Sequence, residues 1–147
     1  MQIAHDTMVM VADGEKLLLF RNEGDEKYAV LQTMAHEETP HAATHEQGSD
    51  RPGHTVSNAG QRRSSYEDTD WHDQGEQRFA RHAAETLERA AGQSQGDIVL
   101  IAAPRALGEM RKHIPARLAE RIVAEIPKDM VRRETDDIVE VISAHQP

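Results

Sequence analysis

Two short, almost uninterrupted apolar runs constrain the fold more than any other feature of the sequence. Residues 7–12 read TMVMVA, and residues 97–103 read DIVLIAA. A strand covered on both faces is apolar at nearly every position, whereas a half-exposed strand alternates apolar and polar residues. Both runs therefore predict buried strands of a sheet that carries other structure on each of its faces.

The first run is predicted to open an antiparallel, three-stranded meander. Asp13 and Gly14 follow it directly, and this dipeptide favours the positive φ angles of a tight hairpin turn. Residues 16–21 then pair back as a second strand. After a further turn at 22–26, a third strand follows at about residues 28–35.

The second half of the chain alternates helix and strand. A helix is predicted to start near Asp73, with Asp70 or Asp73 as its N-cap, and to end at Gly92. Its apolar stripe consists of Phe79, Ala83, Leu87 and Ala90. After the buried strand come a helix interrupted at Pro115, a strand at 122–126 and a last helix capped by Thr135.

These elements predict a single α/β domain over residues 1–147. Its order is β-β-β-loop-α-β-α-β-α, with a mixed sheet of about five strands flanked by helices. The loop is the polar stretch at about 36–72, which shows no sustained periodicity. A loop of such length inside a compact domain is usually functional or disordered, and both alternatives stay open.

Composition and charge narrow the function classes. The chain has 17 Lys and Arg against 26 Asp and Glu, a formal net charge of −9, which disfavours a general DNA- or RNA-binding protein because such affinity needs a basic face. It has no cysteine, which excludes disulfides and thiolate chemistry. We see no secretory signal and no apolar segment approaching the ~20 residues that span a bilayer, so we expect a soluble cytoplasmic protein.

Metal and cofactor sites are not predicted. His36, His41, His45 and His54 crowd the polar stretch, but no helical pattern fixes them as zinc ligands, so solvated loop histidines are the preferred interpretation. The acidic residues around Asp70 and Asp73 suit either Mg²⁺ or the positive end of a helix dipole, and the dipole explains them without a ligand. No phosphate-binding glycine loop is present.

Residues 104–121 form the one locally basic element of an acidic chain. Its cations are Arg105, Arg111, Lys112, Arg117 and Arg121, set against Glu109 and Glu120. A solvated helix face is the ordinary interpretation. The alternative is a strip that contacts RNA phosphates, with a steep salt dependence of binding.

Four stretches resemble the bacterial proteins named for their requirement in attachment to host cells. An apolar strand running into ADG and a strand ending in Phe appear at 7–22, and an FA-x3-A-x2-L helix appears at 79–90. The apolar strand followed by A-P-x-x-L-G lies at 98–114, and AEIPKDM lies at 124–130. The resemblance spans nearly the whole chain in the right order.

That family in turn resembles the central domain of archaeal and eukaryotic class-1 translation termination factors. The resemblance implies an RNase H-like fold and a Gly-Gly-Gln loop before a helix with an R-F-A-R sequence, whose glutamine positions the water that cleaves peptidyl-tRNA. Residues 78–81 read RFAR and place Gln74 at the glutamine position, while His72 and Asp73 replace the glycines. Glycines allow close backbone approach, so this departure leaves catalysis open.

Two hypotheses follow. The first is a translation-linked factor that binds the ribosome or tRNA, with Arg81, Arg105, Arg111 and Lys112 as RNA contacts and Gln74 as the catalytic candidate; binding without hydrolysis is favoured. The second is a non-enzymatic protein-interaction or regulatory protein that affects attachment or stress adaptation indirectly through a protein partner. The oligomeric state is not predicted.

Overall fold

The computed structural model describes the backbone of residues 1–39 and 58–146, and the side chains of residues 1–39 and 74–146. The strands are β1 (Met8–Ala12), β2 (Lys16–Asn22), β3 (Leu31–Glu38), β4 (Ile98–Ala102) and β5 (Ile122–Ile126). The helices are α1 (Asn58–Ala91), α2 (Pro104–Arg111), α3 (Ala116–Ala119) and α4 (Thr135–Ala144). No helix in these described ranges is long and apolar enough to cross a membrane.

The five strands form one mixed sheet in the order β3-β2-β1-β4-β5. β1 and β2 are antiparallel, as are β2 and β3. β4 runs parallel to both β1 and β5. The predicted meander and the mixed sheet flanked by helices are therefore confirmed, with the third strand beginning about three residues later than predicted. The RNase H-like label stays a prediction.

Helices cover both faces of this sheet, as the two apolar runs predicted. Every residue of β1 and β4 is buried. Since successive side chains of a strand point to opposite faces, both faces of the sheet are covered at these two strands. Met8 and Met10 of β1 lie in a core with α1, α2 and α3. Val9 and Val11 lie in a second core, built with α4.

The hairpin between β1 and β2 is confirmed, but its predicted backbone geometry is wrong. No glycine among the described residues has a positive φ. The turn is held instead by the side chain of Asp13, whose Oδ1 accepts hydrogen bonds from the backbone N–H of Glu15 (2.8 Å) and Lys16 (2.7 Å). This is the local side-chain turn that aspartate favours.

The predicted start of the long helix is also wrong. α1 begins at Asn58, so Asp70 and Asp73 lie within it and do not cap it. The apolar stripe begins only at Phe79. A helical segment without apolar residues shows no hydrophobic periodicity, so its start cannot be predicted from the sequence pattern. Of the expected loop at 36–72, residues 36–38 belong to β3 and 58–72 to α1, while 40–57 lie outside the described residues.

The later helix boundaries follow the sequence more closely. α1 ends at Ala91, and Gly92 closes the helix by donating its N–H to the Glu88 carbonyl at 3.0 Å. The interruption at Pro115 is confirmed, because Pro115 is the N-cap of α3. The N-cap of α4 is Glu134, one residue before the predicted Thr135.

Asn22, a structural residue that the sequence did not reveal, joins three segments near the start of β1. It is fully buried. Its Nδ2 donates to the carbonyls of Ile3 (3.2 Å) and Ala4 (3.0 Å), and its Oδ1 accepts from the N–H groups of Gly24 (3.0 Å) and Val30 (2.9 Å). A buried amide with all these bonds made fixes the N-terminal segment against the β2–β3 loop.

Candidate functional site

A cleft of about 290 Å³ opens at the carboxyl ends of β1 and β4. Because these strands are parallel neighbours, the residues that follow them meet at one edge of the sheet. Asp13 and Gly14 follow β1, and Arg105 follows β4 in the first turn of α2. α1 contributes Glu76 and Gln77 to the cleft. Polar groups converging at such an edge make it the best candidate site in the described part of the chain.

Gly14 allows α1 to approach this cleft closely. A Cβ atom built on Gly14 would lie 2.7 Å from Cγ and 3.1 Å from Cβ of Glu76. Any larger residue would therefore displace the Glu76 side chain, which is about one-quarter exposed. The close approach, and no special φ angle, is what requires glycine at this turn.

The cleft is acidic. Among the described residues, its lining includes the carboxylates of Asp13, Glu15, Glu76 and Glu109 and one guanidinium, that of Arg105. Arg105 Nη1 lies 3.8 Å from Glu76 Oε2, at a position where the arginine is well exposed. Four carboxylates beside one guanidinium disfavour a phosphate inside the cleft, so Arg105 can meet an anion only at the outer rim.

Gln74 lies in α1, not in a loop before a helix. Its side chain is exposed. Gln77 lies three residues later and lines the cleft, and side chains three apart occupy one side of a helix. His72 and Asp73 also belong to α1, and their side chains lie outside the described set. Gln74 is thus one turn from the cleft, on a regular helical backbone.

The basic strip predicted from the sequence is interleaved with carboxylates in the fold. Arg111 Nε donates to Glu125 Oε2 at 2.7 Å, and Lys112 Nζ donates to Glu109 Oε1 at 3.0 Å. Arg117 pairs with Glu88 of α1. Glu109 lies within residues 104–121 and is part of the count there. Glu125 of β5 and Glu88 of α1 are distant in sequence, so that count could not include them.

The four predicted RNA contacts do not form one cluster. Arg105 is at the cleft, whereas Arg111 and Lys112 lie at the opposite end of α2, about 9 Å along the helix axis. Arg81 lies on α1 and pairs with Glu85 at 3.2 Å. All four side chains are more than half exposed, at 66–69% for Arg81, Arg105 and Lys112 and 58% for Arg111.

Arg121 has a structural role. Its Nη1 donates to the Ala91 carbonyl at 2.6 Å, and its Nη2 donates to the Gly96 carbonyl at 2.7 Å. These bonds satisfy a carbonyl group at the C-terminal end of α1. Arg121 is therefore removed from the set of cations that could face a ligand.

A perturbed histidine lies at the other end of the molecule from the cleft. His5 Nδ1 is 2.8 Å from the Gly24 carbonyl oxygen, and its ring also lies near Asp6. The hydrogen bond to Gly24 and then the charge of Asp6 raise the pKa of His5. Across the described residues, no three potential metal ligands lie together; His41, His45 and His54 are outside the described residues.

Comparison with known proteins identifies the family. A model of the bacterial archaeo-eukaryotic release factor family 12 matches residues 6–142. A search of curated proteins finds no match. The family match supports the predicted resemblance to release factors, while the link to host attachment stays a prediction. Since the match includes all five strands and the cleft, the chain belongs to bacterial archaeo-eukaryotic release factor family 12.

Proposed function

We propose that this protein is a translation-linked factor that binds the ribosome or tRNA without hydrolysing peptidyl-tRNA. The observation that carries the proposal is the family match over residues 6–142, which supports a translation-related role. The net charge of the protein is −9, but its exposed cations can still pair with the phosphates of ribosomal RNA or tRNA. The same role would place the protein in the cytoplasm, and any effect on attachment to host cells would then be indirect.

The geometry around Gln74 supports binding without hydrolysis. A catalytic glutamine carried into a ribosomal active site needs a backbone that approaches the substrate closely, which glycines in a loop provide. Here Gln74 is part of α1, in which the backbone N–H and C=O groups are engaged in hydrogen bonds within the helix. The acidic neighbouring cleft would also repel the phosphates that surround a peptidyl-tRNA ester.

Co-sedimentation with ribosomes tests the binding. We expect the protein to travel with ribosomes at low salt and to be released as salt rises, because phosphate contacts release counterions. Protein that stays in the supernatant at every salt concentration would refute the proposal.

A peptide-release assay tests the absence of hydrolysis. Ribosomes carrying peptidyl-tRNA are incubated with the wild-type protein, with Gln74→Ala and with Gln93→Ala, which changes an exposed glutamine beyond the end of α1. We expect no release above the buffer rate from any of the three. Release by the wild type and by Gln93→Ala, but not by Gln74→Ala, would show that Gln74 is catalytic.

The alternative, a protein-interaction module, is favoured by a separate surface. Three large apolar side chains are exposed at or just before the edge strand β3: Tyr28 (69%), Val30 (55%) and Met34 (45%). Exposed apolar residues beside an unpaired strand edge are typical of protein contacts. A stable ribosome-free complex that Met34→Lys disrupts would favour this alternative.

A further inference from the structure

The connection between β5 and α4 carries three cations that pair with no side chain in the described part of the chain. Lys128, Arg132 and Arg133 are exposed. Among the described side chains, none of them makes an ion pair or a side-chain hydrogen bond. Their backbone forms turns, in which Lys128 N–H donates to the Ile126 carbonyl (2.9 Å) and Arg133 N–H donates to the Met130 carbonyl (3.1 Å).

The connection is nevertheless held firmly. Met130 and Val131, which lie between the cations, are 7% and 2% exposed. Both belong to the core that includes Ile138 and Ile142 of α4. Burying these two apolar side chains contributes on the order of 1.5–3 kcal/mol each relative to exposure. The cations therefore project from a fixed position on the domain.

These cations differ from those of α2 in their readiness to bind a phosphate. Arg111 must leave Glu125, and Lys112 must leave Glu109, before either can pair fully with a new anion. The carboxylate that is left behind then repels that anion. An exposed ion pair is worth only about 0.2–1 kcal/mol, but the repulsion adds to this. Lys128, Arg132 and Arg133 break no ion pair with a described residue when they bind an anion.

We propose that Lys128, Arg132 and Arg133 form the surface through which this protein contacts RNA phosphates. The inference rests on the proposed function, because the ribosome or tRNA supplies the RNA. Asp129 lies between Lys128 and Arg132, and Glu134 follows Arg133, so the segment is only modestly positive. Attraction between exposed charges is screened beyond about 8 Å at physiological salt, so the contact acts by direct pairing with phosphates and not by steering from a distance.

The test compares three variants that each remove three positive charges. The first is Lys128→Gln, Arg132→Gln and Arg133→Gln. The matched control is Arg21→Gln, Lys27→Gln and Arg89→Gln, all exposed cations elsewhere on the domain. The third, Arg105→Gln with Arg111→Gln and Lys112→Gln, removes the predicted contacts of α2.

Binding to purified ribosomes and to deacylated tRNA is measured for each variant as a function of salt. We expect the first variant to bind at least tenfold more weakly and the slope of log K against log[salt] to fall by about 2, since each phosphate contact contributes about 0.7–0.9. The control should bind within about threefold of the wild type. Thermal unfolding of each variant checks that the exposed substitutions leave the domain folded.

The outcomes separate the inference from the function on which it rests. If the wild type binds and the first variant binds equally well, the inference is wrong and the proposed function stands. The inference is also overturned if the α2 variant loses binding while the first variant keeps it. If the wild type binds neither ribosomes nor tRNA at low salt, the proposed function fails and the inference fails with it.

Discussion

The two parts of α1 whose side chains are described differ in almost every respect. Over residues 79–91 the helix buries seven side chains, including Phe79 and Leu87, against the sheet. Over residues 74–78 none is buried, and three of the five are exposed. The apolar part holds the helix in place, and the polar part reaches past the core to the cleft. Substitutions in the two parts should therefore separate stability from function.

The largest expected effect tests the apolar part. Leu87 is fully buried, and Leu87→Ala should lower the free energy of unfolding by about 2–5 kcal/mol, through lost burial and the cavity left behind. Arg78→Ala, an exposed position in the polar part, should change it by about 0.5 kcal/mol or less. Urea denaturation measures both. Equal losses would mean that the polar part is as tightly packed as the apolar part.

A smaller effect tests the contact of the polar part with the β1–β2 turn. Gly14→Ala would place a Cβ atom 2.7 Å from Glu76 Cγ, and we expect a loss of about 1–2 kcal/mol. Adding Glu76→Ala should recover most of it, because the second substitution removes the clashing side chain. A double-mutant cycle by urea denaturation measures the coupling. Additive losses would show that the two residues do not touch.

Two glycines within helices, Gly75 and Gly108, test whether the backbone at residue 75 is helical. Among the described residues, and apart from the chain neighbours and the backbone of the same helix, nothing lies within 4 Å of a Cβ built on Gly75 or on Gly108 of α2. Alanine at either position should raise the free energy of unfolding by about 0.5–1 kcal/mol, because glycine weakens a helix interior. Gly108→Ala is the matched control in the same assay. If it stabilises while Gly75→Ala destabilises, residue 75 has a non-helical conformation and the catalytic hypothesis for Gln74 regains support.

The smallest effect concerns the solvent side of the apolar part. Arg81 and Glu85 form an i,i+4 pair at 3.2 Å, with both side chains about half exposed or more. Arg81→Gln should lower the free energy of unfolding by about 0.3–0.5 kcal/mol. The difference from the wild type should vanish near 1 M salt, where the screening length is about 3 Å. A loss that persists at high salt would mean that Arg81 packs and does not merely pair.

The same contrast explains which parts of the fold the sequence predicts. The runs at 7–12 and 97–103 predict β1 and β4 well, because a strand buried on both faces has a distinctive apolar composition. The end of α1 at Gly92 is likewise predicted from local chemistry. The start of α1 is not predicted correctly, because its polar part has no apolar stripe. A helix that does not face a core leaves no periodic signal.

The site is harder to predict, because its properties arise from partners distant in sequence. Arg111 meets Glu125 and Arg117 meets Glu88 only after the sheet has formed. The excess of Lys and Arg over Glu within residues 104–121 therefore overstates the positive charge that a ligand would encounter there. Lys128, Arg132 and Arg133 are hard to predict for the opposite reason. Acidic neighbours lower the net charge of their segment in the sequence, whereas in the fold no described side chain pairs with these three cations.

The guanidinium of Arg121 has a consequence for motion. It joins the carbonyl at the end of α1 to the Gly96 carbonyl just before β4. The last turn of α1 cannot fray unless these bonds break, so its local opening is linked to that of the central sheet. In hydrogen–deuterium exchange, the amide of Gly92, bonded to the Glu88 carbonyl, should exchange almost as slowly as those of β4. Lysine in place of Arg121 cannot bridge both carbonyls with the same planar geometry, and exchange at this turn should then become fast while the sheet stays protected.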